Sequence, residues 1–595
     1  MNKVLNVAEK PSVARGITDI LSYGRKKAEF SNSKTNQVFS LVSSLEGQPC
    51  KMYFTSVRGH LMELEFDIKY RNWQRTPMED IFEAPILSAV SKNCKDIEKN
   101  LLHYSKLRSN CVRAIRRAVF SAVTKSDIEN ACNLLRNPNP HLAHAVEARQ
   151  EIDLRIGASI TRFMTVHYRH EINTEAKVLS YGPCQMPTLG FIVERFNKIE
   201  AFVPEPFWSI QLHVEKDGNT NVFLWDRGRL FDRLASISLY EACLENPMVK
   251  VTHINNKSVK KHPPLPLDTV EMHKDATRFL NISSHEGMQL AESLYNKGYI
   301  SYPRTETNVF PGSMNLMNIV NIFTEHPNFG NYAKKLVQGG TIKPRKGKKN
   351  DEAHPPIHPV KSLRREEAEC EKTWKLYEYI VRRFLACCSP PAMGDESVAF
   401  LDVAGEGFHS KGLVVRERNW LDVYPYASWN GRFIPAFTVG EEFLPQKILL
   451  AESKTKPPGL LTETNLIDLM SKHGIGTDAT MHEHIQKVQE RQYAKKEPNF
   501  TLLPTNLGKA IYKAFKEYRH VSIDLTKPNL RASMERDMCQ IASGEKKKND
   551  VISHYSREMK KIFLNIKNNI AAFDNAMLAL RGVNPDASPM PSSAG

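Results

Sequence analysis

No two of the ten cysteines stand in a C-x-x-C spacing, so neither a zinc ribbon nor a dithiol redox centre is written into the chain. The scattered thiols read instead as reduced, mostly buried small hydrophobes. No G-x-x-x-x-G-K-[ST] loop occurs, so there is no phosphate cradle of that kind for nucleotide hydrolysis. No H-E-x-x-H occurs either; His482-Glu483-His484 has the wrong spacing and reads as a helix surface. No run of eighteen apolar residues is present, and the opening Met-Asn-Lys-Val-Leu lacks the pattern of a signal or transit peptide, which predicts a soluble intracellular protein.

What is present is a long basic chain. Its 595 residues are 41% hydrophobic and 25% charged, enough to bury cores in roughly three to five domains. Lys and Arg number 82 against 66 Asp and Glu, a net charge of +16 that favours a polyanionic partner, nucleic acid first.

The order of patterns along the chain is discontinuous. Val4-Leu5-Asn6-Val7-Ala8, a turn, and then Pro11 followed by Val13, Ile17, Ile20 and Leu21 at helical spacing predict strand, loop and helix, the opening of an α/β domain. Residues 126–205 read as mainly helical, 206–266 as strands, 267–395 as a helix-rich insertion, 396–458 as strands again, and 459–583 as helix. The fold class predicted is multidomain α/β plus α+β. From 584 the chain is Pro/Ser-rich and predicts a disordered tail over 584–595. Lys343-Pro344-Arg345-Lys346-Gly347-Lys348-Lys349 predicts an exposed basic loop, either a solvated tip, a phosphate contact or a nuclear address.

The most informative stretch is Gly298-Tyr299-Ile300-Ser301-Tyr302-Pro303-Arg304-Thr305-Glu306-Thr307. Pro303 biases Tyr302 toward extended backbone, and a guanidinium two residues on suits an oxygen nucleophile presented to a phosphodiester. Alone, a tyrosine before a proline is usually a packing residue. Here it resembles the active-site motif of type IA DNA topoisomerases, and other blocks similar to that family follow the family's order: Ala8-Glu9-Lys10-Pro11-Ser12, Gly59-His60-Leu61, Asp153-Leu154-Arg155-Ile156-Gly157 with Thr161-Arg162, Ser180-Tyr181-Gly182-Pro183-Cys184-Gln185, Ala353-His354-Pro355-Pro356-Ile357, Gly474-Ile475-Gly476-Thr477-Asp478-Ala479-Thr480 and Lys527-Pro528-Asn529-Leu530-Arg531-Ala532.

The resemblance implies a toroid: a Toprim-like α/β domain over 1–125, a helical DNA-binding domain in two segments (126–205 and 459–583), a β-rich strap in two segments (206–266 and 396–458) and a helical domain over 267–395 carrying Tyr302. It implies cleavage of one strand of single-stranded DNA through a 5′-phosphotyrosine, strand passage and resealing, without ATP. Tyr302 would be the nucleophile, Arg304 and Lys10 phosphate contacts, Glu9 the acid and base at the 3′-oxygen and a Mg²⁺ ligand, and His354 a support for the phosphate or for Tyr302. His60, Arg149, Arg162, Gln185, Thr477 and Asp478 would contact DNA. A RecQ-type helicase and an OB-fold protein would be partners, and the nucleus the location. No zinc is expected.

One departure from the family is plain. Toprim domains carry an Asp-x-Asp-x-Glu run, and hard cations need several carboxylate oxygens together. This chain has no Asp-x-Asp anywhere, and residues 101–125 hold Lys106, Arg108, Arg113, Arg116, Arg117 and Lys125 without one Asp or Glu. A unit of roughly 30 residues is missing there. Glu9 is left as the one metal ligand, which predicts impaired resealing, with an impaired single-stranded-DNA-binding scaffold for a helicase as the alternative to an enzyme.

Overall fold

A computed structural model describes residues 2–45, 47–105, 114–172, 174–340, 342–476, 480–517 and 523–589. The N-terminal region opens with strand β1 (Asn2–Ala8) and a helix, Pro11–Ser22. Pro11 stands at the first helical turn, where its missing N–H removes no bond. Three further strands, β2 (Lys27–Glu29), β3 (Val38–Leu45) and β4 (Gln48–Ser56), complete a sheet of order β1-β4-β3-β2 in which only the β1–β4 pair is parallel. Among the described residues β1 pairs with β4 alone and so lies at an edge. Phe39, Leu41, Cys50, Met52 and Phe54 pack under the sheet, and Val38, Tyr53 and Tyr104 form a second small cluster.

The chain then builds two bodies by passing through each twice. A 29-residue helix, Pro140–Tyr168, buries Ala148, Ile152, Ile156 and Phe163 along one stripe and packs on Asn529–Ser543 and Lys548–Asn568, nearly four hundred residues later. The β-rich body is a seven-stranded antiparallel sheet woven from both passes. In order across the sheet its strands are Glu442–Phe443, Val249–Lys261, Ala392–Val403, Glu406–Glu417, Asn219–Trp225, Pro206–Lys216 and Lys447–Lys454. Alternation sets its buried face: Trp208, Ile210, Leu212 and Val214 point inward at every second residue.

Between those passes, helices Thr269–Leu280, Ser284–Asn296 and Glu371–Cys387 enclose one continuous core that includes Met272, Leu294, Ile300, Phe323, Tyr377 and Phe384. Asp268 and Ser283 cap the first two helices by accepting from the N–H groups of Glu271 and Glu286. The expectation of disorder from 584 is corrected for the first residues of that stretch. The N–H groups of Asn506 and Leu507 donate to the carbonyls of Ala587 and Pro585, and Asp586 accepts from Thr174. A Pro/Ser-rich composition is held once it can satisfy a helix N-terminus.

Candidate active site

Gly298, with φ +75°, ends helix Ser284–Asn296 in the left-handed region and turns the chain into an extended run. That run lies against the segment carrying His354. Ser301 N–H donates to the His358 carbonyl at 2.9 Å, and His358 N–H donates to Ser301 Oγ at 3.0 Å. Asp351 accepts from the hydroxyls of Thr305 and Thr307 and from the N–H groups of Glu306, Ala353 and His354. Thr269 donates to the Pro303 carbonyl at 2.7 Å. The backbone around Tyr302 is therefore fixed from both sides.

Tyr302 is half-buried, its ring 4.6 Å from that of His354 and 5.2 Å from that of Tyr295. Its N–H donates to the carbonyl of Ser121 at 2.8 Å, and Ser121 Oγ meets His354 Nδ1 at 3.1 Å. Burial pushes the Tyr302 phenol above its ordinary range; the charges of Glu9 and Glu292 push the same way and Arg304 opposes them. Tyr302 is thus a neutral phenol near pH 7. Burial holds His354 below the ordinary histidine value, and Arg117 adds to that against the pull of Asp351.

Glu292 is the residue that sequence reasoning missed. Its Oε1 accepts from Nε and Nη2 of Arg304 at 2.9 and 2.8 Å, and its Oε2 accepts from Lys10 Nζ at 2.9 Å. One carboxylate therefore gathers the two cations, one from the N-terminal region and one beside the tyrosine. Burial raises the Glu292 pKa, but the hydrogen bonds from Lys10 and Arg304 outweigh it and leave the carboxyl below its usual range. Arg304 Nη1 also faces Glu483 at 3.6 Å. The only signal for Glu292 in the sequence is helical spacing: it lies ten residues before Tyr302, on the helix that delivers it.

Glu9 is exposed at the end of β1 and close enough to act electrostatically on Tyr302. Glu9, Lys10, Tyr302, Arg304 and His354 are thus brought to one place. The expected DNA contacts are spread more widely. Arg149 pairs with Glu535 at 3.1 Å, and Gln185, 8% exposed, meets His484 at 3.0 Å. Arg162 is 5% exposed, donates to the Tyr70 carbonyl and lies over Phe66 and Trp73, bracing the long helix against the 66–73 segment. His60 is exposed. Thr477 and Asp478 lie outside the described residues.

His482 and His484 do not sit on a helix surface as their spacing suggested. They are 2% and 9% exposed, and burial pushes both imidazoles down to about 3. Helix Met481–Glu490 is wedged between helices Gln185–Glu200 and Ser284–Asn296, so its polar-looking face is internal. His273, fully buried, stacks edge-on to His482 at 4.9 Å.

For a divalent cation the donors do not fit. Among the described residues no group of three or more His, Cys, Asp or Glu could hold a metal ion. Glu292 offers Glu9 no free oxygen, because both of its oxygens are taken by Lys10 and Arg304.

A family model described as DNA topoisomerase matches residues 137–553. The chain is 42% identical to DNA topoisomerase 3-alpha of Arabidopsis thaliana, covering 95% of this chain and 64% of that protein, and 40% identical to DNA topoisomerase 3-alpha of Homo sapiens, covering 97% and 60%. It is 38% identical to DNA topoisomerase 3 of Schizosaccharomyces pombe, covering 94% and 96%. It thus spans less than two thirds of the first two relatives and nearly all of the third. The full-length topoisomerase I of Thermotoga maritima shares the fold, with a TM-score of 0.70 at 21% identity over 94% of this chain and 90% of that one.

Proposed function

The chain belongs to the type IA DNA topoisomerase family and has its multidomain toroidal fold, and from there we propose that Tyr302 cleaves one strand of single-stranded DNA and reseals it after strand passage, without ATP. The observation that carries this reading is the convergence of Tyr302, Arg304, Lys10 and Glu9 from two regions of the chain. Tyr302 Oη attacks the phosphorus as its proton passes to the Glu9 carboxylate, the bond to the 3′-oxygen breaks, and the 5′-phosphate stays on the phenol. Glu9 serves as the acid that protonates the leaving 3′-oxygen and as the base that takes the proton back for resealing. Bond energy is conserved in the phosphotyrosine, so no nucleotide is spent.

Lys10 and Arg304 hold the phosphate and balance the charge that grows on its oxygens. Glu292 pairs with both, so an incoming phosphate exchanges with a carboxylate already set between them. His354, neutral near pH 7, backs the Tyr302 ring and accepts or donates at Ser121. Mg²⁺ belongs to the resemblance, but these donors do not fit it, so no step is routed through it.

The missing acidic run favours a second reading, in which the protein holds single-stranded DNA for a helicase without completing the cycle. A RecQ-type helicase, an OB-fold partner and nuclear residence rest on the resemblance alone. Mixing the protein with a single-stranded oligonucleotide and denaturing it decides between enzyme and scaffold: a covalent adduct that disappears in Tyr302→Phe is expected, and its absence from the unsubstituted protein would sink the reading. On negatively supercoiled plasmid with Mg²⁺, weak relaxation is expected; efficient relaxation abolished by Tyr302→Phe would overturn the impairment.

A further inference from the structure

The basic run Lys343–Lys349 is a fixed loop, not a loose tip. Gly347 N–H donates to the Asn308 carbonyl at 3.1 Å, Lys349 N–H donates to Asn308 Oδ1 at 3.0 Å, and Asn308 N–H donates back to the Lys349 carbonyl at 3.1 Å. A Cβ on Gly347 would overlap the Asn308 side chain, so only glycine allows so close an approach. Arg345 Nη1 donates to the Pro263 carbonyl at 3.0 Å. The next acidic residue, Asp351, is fully engaged by the Thr305, Glu306, Thr307, Ala353 and His354 donors.

The loop is therefore stapled to the extended run that carries Tyr302, since Asn308 is six residues past it, at most roughly 20 Å along the chain. Lys343, Arg345, Lys346, Lys348 and Lys349 are all exposed. Among the described residues Lys343, Arg345, Lys346 and Lys348 pair with no carboxylate. The contrast with Lys10 and Arg304, both held by Glu292, is physical: the loop keeps four like charges together on a fixed scaffold, with Glu352 exposed just beyond, a concentration of positive charge that suits a polyanion.

We infer that this loop is a second phosphate-binding surface, which grips the backbone of the cleaved single strand beyond the scissile phosphate. It rests on the proposed function for the position of the strand. Its contacts carry no base information, so it sets affinity and register without sequence preference.

The test measures equilibrium binding of a long oligothymidylate as a function of salt. The triple variant Lys343→Ser, Lys346→Ser, Lys348→Ser leaves the Arg345 anchor and the Gly347 staple in place. For two lost phosphate contacts the slope of log K against log salt flattens by about 1.4, which is about 25-fold weaker binding at about 0.1 M salt. A control triple variant, Lys334→Ser, Lys513→Ser, Lys561→Ser, removes the same charge from lysines already paired with Glu325, Glu517 and Glu558 and leaves the slope unchanged. An unchanged slope in the loop variant overturns the inference, as expected if an acidic protein were the loop's true ligand. Equal flattening in both variants overturns it too, since only net charge would then matter. The readout needs no cleavage, so absence of the covalent adduct would count against the proposed function and not against the loop.

Discussion

The N-terminal sheet and the tyrosine-bearing body supply one site from unlike foundations. Under the sheet the apolar contacts break into small clusters, β1 has a partner on one side only among the described residues, and Val7 and Val42 are 48% and 70% exposed. Around Tyr302 one core runs unbroken from Leu267 to Tyr424, with Met272, Ile300, Phe323 and Tyr377 fully buried. Glu9 and Lys10 follow the edge strand; Tyr302, Arg304 and His354 stand on the deep core. The difference teaches that Tyr302 is held by packing, whereas Glu9 and Lys10, which meet it from the other side, depend on a thinner platform, with lower local opening free energy.

The largest effect that would sharpen this contrast is at the buried pair Asp275–Arg383, 3.0 Å apart with both side chains under a tenth exposed and Tyr379 bonded to the same carboxylate. Arg383→Met leaves Asp275 uncompensated, and urea unfolding followed by tyrosine fluorescence should show about 3–5 kcal/mol lost. Glu29→Ala in the N-terminal sheet, which removes a partly exposed pair with Lys51, should cost at most about 1 kcal/mol. Equal losses would break the comparison.

Next in size is acid. The folded-state values of His482 and His484 lie near 3, far below an unfolded histidine, so the unfolded chain binds more protons between about 6.5 and 3. Stability is complete above about pH 6.5 and falls as the pH drops, by up to about 1.4 kcal/mol per pH unit for each ring. In the N-terminal sheet region His60 and His103 are exposed. Hydrogen exchange at pH 6.5 and pH 5 should therefore show protection falling in helix Met481–Glu490 while the β1–β4 amides stay level; the reverse pattern would refute it.

The smallest effect is at the bridge between the two regions. Glu292→Gln keeps the shape but removes the charge that gathers Lys10 and Arg304, at a side chain one quarter exposed. Thermal unfolding should shift by no more than about 1 kcal/mol, while the salt dependence of covalent-adduct formation changes clearly, because phosphate no longer competes with a carboxylate. An unaltered salt profile would mean that Glu292 is only a surface pair.

Much of this was legible beforehand, for reasons specific to particular residues. The tyrosine, its arginine and His354 come as contiguous motifs, and the chain's double passage appears as alternating blocks of strand and helix periodicity. Glu292 was invisible because its partner Lys10 is 282 residues away, and a lone glutamate on a helix carries no mark of what faces it. His482 and His484 misled because a polar triplet predicts solvent, while tertiary packing had placed that helix between two others.

Ser121 gives the site a mechanical meaning. Its carbonyl holds the Tyr302 amide and its hydroxyl meets His354, so one residue fastens both to the segment leading out of the N-terminal region. A load applied at the phenol therefore passes into that fastening as well as into the core on which Tyr302 packs. The N-terminal region and the tyrosine-bearing body are joined there by the Ser121 bonds, the Lys10–Glu292 pair and the apolar contact of Val123, a mixed seam that couples the two without merging their cores.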